Sequence, residues 1–214
     1  MSAFDDVLAA NAQHAAAFSD SGLPGRAAKG LALVTCMDSR IDPLGVFGLV
    51  PGDAKILRTA GARVTDDVLR SLVLAHHLLG VERVVVMAHT DCGMTKADDA
   101  EVHAVVRARS GIDSRSVDFH TIADQRATLE HDVQRVRSSP YLPPGMPVIG
   151  AVYDVRSGTV TVVVPEPEDA LDDAPPGPVL QVLEADESVP PRPEEEAADA
   201  ARGGTAPVSP PPGA

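Results

Sequence analysis

Short apolar runs alternate with helix-patterned segments along the first three quarters of this chain, and that alternation most narrows the folds open to it. "LALVTC" (31–36), "AKILRTAG" (54–61) and "VERVVVMAH" (81–89) read as strands, the last with a clear β-branched bias. Between the last two, "TDDVLRSLVLAHHLLG" reads as a helix. Thr65 stands as its N-cap, Asp66 and Asp67 in its first turn, apolar residues at 68, 69, 72, 73 and 79, and Gly80 at its close. The spacing also predicts amphipathic helices over 3–19 (Phe4, Val7, Leu8, Ala15, Phe18) and 95–109. A longer helix is expected after Asp118, through Phe119, Ile122, Leu129, Val133 and Val136. "MPVIGAVYDVRSGTVTVVV" reads as two strands joined by a turn at Arg156, Ser157 and Gly158. The expected fold class is α/β: a mostly parallel central sheet, covered on both faces and flanked by helices, with room for an antiparallel edge.

From Pro165 the composition changes. The last 50 residues hold 12 of the 19 prolines, 12 acidic residues and 2 basic ones, and so carry −10 of the net charge of −13. Too little apolar surface remains there to offset the ordering entropy. The expected division is a folded domain over 1–164 and a disordered, Pro-rich acidic tail over 165–214, in which "PVLQVLEA" (178–185) is the one segment with helix character. The acidic balance argues against nucleic-acid and anionic-membrane partners. No apolar run approaches 18 residues, and Asp5 and Asp6 stand where a secretory signal needs a basic start, so a cytoplasmic protein is expected.

In parallel sheets, ligands gather beyond the carboxyl ends of strands. Cys36 ends one predicted strand, His89 ends another, and Cys92 follows three residues later in "HTDCGM". Two thiolates and an imidazole suit tetrahedral zinc and disfavour magnesium or calcium. The set is one ligand short of a closed structural site, which leaves the fourth position to water or to Asp38 and favours a catalytic metal. Arg40, two residues beyond Asp38, can keep that carboxylate ionised. Against this stands the plainer view that His-x-x-Cys recurs by chance and buried cysteines are small core residues. Both cysteines and a histidine meeting at strand ends tip the balance toward zinc. A redox dithiol ranks below, with no Cys-x-x-Cys and no use for His89. His14, His76, His77, His103, His120 and His131 read as surface or satisfied residues, Asp66 and Asp67 as helix-terminal charge, and Gly61 and Gly93 as turn residues.

"CMDSR" and "RTAGARVTDDVLRSLVLAHHLLGVERVVVMAHTDCGM", at their separation, resemble the β-class carbonic anhydrases, most of all the short bacterial and actinobacterial branch. The resemblance spans residues 1 to 164. It implies zinc held by Cys36, His89 and Cys92, with Asp38 and Arg40 as the catalytic dyad and Asp38 as a possible fourth ligand in a closed state. It also implies reversible hydration of CO₂ to bicarbonate, and a homodimer or dimer of dimers in which the N-terminal helix lies across the partner. Three departures stand out. Thr59 occupies a place where the family usually has Asn, and the chain has no Trp, so the tryptophan-dependent bicarbonate pocket of some members cannot exist in its usual form. No proton shuttle is evident, His103 being the histidine to weigh.

Two other functions compete. The same framework serves CS₂ or COS hydrolysis in adapted members, but no dedicated insertion marks that use here. A non-catalytic zinc domain whose tail recruits a partner would need four permanent protein ligands.

Overall fold

The computed structural model describes residues 2–19 and 22–167. The expectations for the tail, including "PVLQVLEA", lie outside the described residues apart from the first three positions. The elements are α1 (Asp5–Ala16), β1 (Leu31–Cys36), β2 (Ala54–Thr59), α2 (Asp66–Leu79), β3 (Arg83–His89), α3 (Asp99–Ser110), α4 (Gln125–Arg137), β4 (Val148–Tyr153) and β5 (Val160–Val164). They build a five-stranded sheet in the order β2-β1-β3-β4-β5. β2, β1, β3 and β4 are parallel, and β5 is the antiparallel edge, joined to β4 through a turn in which Asp154 accepts from Arg156 and Ser157.

All six residues of β1 are buried, as are the last six of β3, because these strands lie inside the sheet and both faces are covered. One face packs Ala32, Val34, Val84, Val86 and Val148 against Val68, Leu72 and Ala75 of α2 and Leu129, Val133 and Val136 of α4. Each fully buried Val or Leu there contributes about 1.5–3 kcal/mol. The other face packs Leu31, Leu33, Val85 and Met87 against Ile41, Val46, Phe47 and Leu49, supplied by the connection between β1 and β2.

The chain leaves β1 for β2 on one side and returns to β3 on the other. Strand order therefore reverses at β1, and the carboxyl ends of β1 and β3 flank the crevice where α/β sheets bind ligands.

Several predicted boundaries shift. β2 stops at Thr59 rather than 61, since Gly61 turns the chain at φ 70°. Thr65 sits at the start of α2 in extended conformation, yet its side chain caps nothing; Gly80 closes the helix in the left-handed region as expected. α3 begins at Asp99, four residues later than predicted, behind an Asp98/Glu101 capping box. α4 begins only at Gln125. The backbone of Phe119 and Thr121 is captured by the Asp99 carboxylate, that of His120 by Asp118, and His120 has φ 55°, so 118–124 is a loop and only Leu129, Val133 and Val136 lie on the helix. α1 is shorter than predicted and buries no residue; Phe4, Val7, Leu8 and Phe18 are exposed.

Candidate metal centre

Cys36 is the last residue of β1, His89 the last of β3, and Cys92 opens a 3-10 turn at Gly93–Thr95. All three are buried, and their ligand atoms lie within 4.8 Å of one another. Among the described residues this is the group able to hold a metal. His89 Nδ1 faces the Thr90 carbonyl at 2.9 Å, which makes Nδ1–H the donor and leaves the lone pair on Nε2. Nε2 is buried and has no hydrogen-bond partner. Such an atom loses about 1–3 kcal/mol of solvation unless something accepts its lone pair, and a soft divalent cation between two sulfurs does so.

The two thiols shift each other in opposite directions. Hydrogen bonding to Cys92 pulls Cys36 down to about 4, helped by backbone amides and opposed by burial, while its neighbour Cys92 is pushed up. One of the pair is therefore readily a thiolate, the form that binds metals. The Gly61 amide donates to Cys36 Sγ at 3.3 Å. A Cβ on Gly61 would lie 2.8 Å from Ile122 Cδ1, so Gly61 serves a close approach as well as the turn expected of it. At Gly93 the corresponding space is open.

Asp38 and Arg40 form a two-pronged pair: Nε donates to Oδ1 at 2.9 Å and Nη2 to Oδ2 at 2.8 Å, with the Arg40 amide also on Oδ1. These bonds hold the Asp38 carboxyl well below the usual carboxylate range. Asp38 Oδ2 stands 3.9 Å from His89 Nε2, so the carboxylate borders the cluster. The five residues singled out in the sequence are thus brought together.

Other contributors were not singled out. Arg58 donates to the carbonyls of Cys36 (3.0 Å) and Asp38 (2.6 Å), pinning the strand end; its signal is a long cation at the carboxyl end of an apolar strand. Gln125 Nε2 donates to the His89 carbonyl at 2.8 Å, a contact across 36 residues with no local pattern. Asp91 holds Arg40 from the opposite side and lies inside "HTDCGM", where its φ of 55° suits Asp. Thr59, in the usual place of Asn, donates its hydroxyl to the Arg63 carbonyl at 3.0 Å and so closes the 59–63 turn. His103 is engaged elsewhere, with Nδ1 2.9 Å from Ser114 Oγ and its ring against Phe119.

Buried sulfur and imidazole side chains at the switch point of a parallel sheet, beside an ionised carboxylate, define the class: an α/β protein with a site able to hold a soft metal. The carbonic anhydrase family model matches residues 31–160. The chain is 33% identical over 165 residues to beta-carbonic anhydrase 1 of Mycobacterium tuberculosis, covering 77% of this chain and all of that protein. The crystal structure of carbonic anhydrase from Streptococcus mutans superposes with a TM-score of 0.72 at 39% identity, over 76% of this chain and 98% of that one. A carbon disulfide hydrolase of Acidianus sp. is 30% identical over 160 residues, 64% of this chain and 77% of that protein. The chain belongs to the β-carbonic anhydrase family and is an enzyme of that family.

Proposed function

We propose that the chain catalyses reversible hydration of CO₂ to bicarbonate and a proton, with zinc held by Cys36, His89 and Cys92. The observation that carries this reading is the buried, partnerless His89 Nε2 facing two sulfurs within 4.8 Å, with the Asp38 carboxylate 3.9 Å away. Zinc, when bound, supplies the Lewis acidity that makes water a nucleophile near neutral pH.

The chain's own residues do the rest. Asp38 stays ionised at any physiological pH because Arg40 neutralises it. An ionised carboxylate accepts hydrogen bonds only, so Asp38 accepts a hydrogen bond from the attacking water and turns a lone pair of that oxygen toward the CO₂ carbon. Arg40 holds the carboxylate in one plane, and Arg58 fixes the backbone carrying it. Gly61 and Gln125 hold Cys36 and His89 in place through one hydrogen bond each.

Hydrolysis of CS₂ is the second reading, favoured by the likeness to the Acidianus enzyme. Measuring CO₂ hydration by stopped flow and CS₂ hydrolysis by sulfide release on the same zinc-quantified protein separates the two. CO₂ activity with little sulfide release supports the first; the reverse supports the second. A homodimer or dimer of dimers is part of the proposal, supported by the four exposed apolar residues along and beside α1. No helix among the described residues is long and apolar enough to cross a membrane; a cytoplasmic location is part of the proposal.

A further inference from the structure

Arg40 is held from two sides. Its Nε and Nη2 serve the two Asp38 oxygens, its Nη1 donates to Asp91 Oδ2 at 2.9 Å, and Nη2 donates again to the Asp91 carbonyl at 3.1 Å. Four of the five guanidinium hydrogens are therefore taken by two aspartates. The other Asp91 oxygen accepts from Lys96 Nζ at 2.7 Å, giving an alternating chain of charge Asp38, Arg40, Asp91, Lys96.

We infer that Asp91 is a positioning residue for the reaction: it locks the Arg40 guanidinium in the plane from which Arg40 aims Asp38, with Lys96 bracing Asp91 from outside. This rests on the reading of the site proposed above. The physical need is plain. Asp38 and Arg40 are two residues apart on one loop and the Arg40 side chain is 43% exposed, so the pair by itself can swing into solvent as a unit. The bonds between Asp38 and Arg40 move with the pair and tether it to nothing outside its own loop. Asp91 belongs to a different segment, the loop after β3, and its two bonds to Arg40 tie the Asp38 loop to the loop that follows His89 and leads to Cys92. Its left-handed backbone, φ 55°, is a conformation that few side chains accept and that Asp tolerates.

The test compares five proteins: wild type, Asp91→Asn, Asp91→Gly, Arg40→Ala, and Asp91→Gly placed in the Arg40→Ala background. Asn and Gly both accept the left-handed backbone, so neither strains the turn. At equal zinc content, Asp91→Gly lowers kcat/KM for CO₂ hydration about 10-fold, the lower end of what loss of a supporting partner does at a metal site. Asp91→Asn keeps an oxygen for Arg40 Nη1 and stays within about threefold of wild type. In the Arg40→Ala background, Asp91→Gly changes the rate less than about twofold, because the residue acts through Arg40. A second readout is the visible absorption spectrum of the cobalt-substituted proteins, which Asp91→Gly and Arg40→Ala alter in the same direction. Multiplicative effects in the double variant, or a wild-type cobalt spectrum in Asp91→Gly where Arg40→Ala is changed, overturn the inference. Wild-type protein that is inactive at full zinc content removes the CO₂ reading instead, and the cobalt spectra then decide the role of Asp91 alone.

Discussion

The backbone amide of Gly61 donates to Cys36 Sγ at 3.3 Å, so a turn after β2 reaches back to the sulfur that ends β1. No side chain can be added there without moving something. Gly61 has φ 70°, and a Cβ would meet Ile122 Cδ1 at 2.8 Å and the Met94 side chain at 3.2 Å. Gly61→Ala should therefore lower stability by about 1–3 kcal/mol and weaken zinc retention by displacing the amide from Cys36. Urea unfolding together with competition against a chromogenic chelator checks both; unchanged zinc affinity would show that this amide does not support the thiolate.

Arg40 holds the Asp38 carboxyl below the usual carboxylate range. In Arg40→Ala the carboxyl returns toward its ordinary value of about 3.9, and both its oxygens are freed to turn toward the cluster 3.9 Å away. Activity at pH 7 should drop about 10- to 100-fold, with the acid limb of the kcat/KM profile displaced to higher pH. Rates measured from pH 6 to 9 decide this, and a profile superimposable on wild type contradicts the dyad.

Asp132 is 2% exposed and accepts from Arg63 Nε at 2.7 Å and from the Val64 amide at 3.2 Å. It links α4 to the segment just beyond Gly61. Asp132→Ala leaves a largely buried cation and an amide without their acceptor, and should cost roughly 3 kcal/mol. Chemical denaturation measures it; a loss below about 0.5 kcal/mol, the size of an ordinary surface change, would contradict the role.

The sheet and the site were legible in the sequence for the same reason. Strands buried on both faces, such as Leu31–Cys36 and Arg83–His89, are written as nearly unbroken apolar runs, so the residues that end them, Cys36 and His89, stand out against their surroundings. Apolar spacing from Phe119 onward fits a helical period, yet 118–124 is a loop. What overrides it is a carboxylate twenty residues upstream, Asp99, which takes the amides of Phe119 and Thr121. Contacts of that range leave no local period, and the same holds for Gln125 on His89 and Arg58 on Cys36. Asp91 was in plain view within "HTDCGM", but its task depends on where Arg40 points, which only the fold determines.

The Asp99 bonds make a prediction of their own. Hydrogen bonds from Thr121 and the 119 and 121 amides hold its carboxyl well below the usual range. A depressed carboxyl stabilises the fold above its unfolded value of about 4 and loses that contribution as pH falls toward its folded value. Thermal midpoints should therefore decline more steeply below pH 4 in wild type than in Asp99→Asn, and the gap between them should be widest above pH 5. Parallel curves would contradict the assignment.

The proposed CO₂ hydration depends on zinc held by Cys36, His89 and Cys92. Stopped-flow CO₂ hydration on protein of known zinc content, beside Cys92→Ala, tests it most directly. Wild type should carry about one zinc per chain and hydrate CO₂ rapidly, with metal and activity lost together in the variant. Full zinc occupancy with no hydration even at high pH, or a Cys92→Ala protein that keeps both, would contradict it.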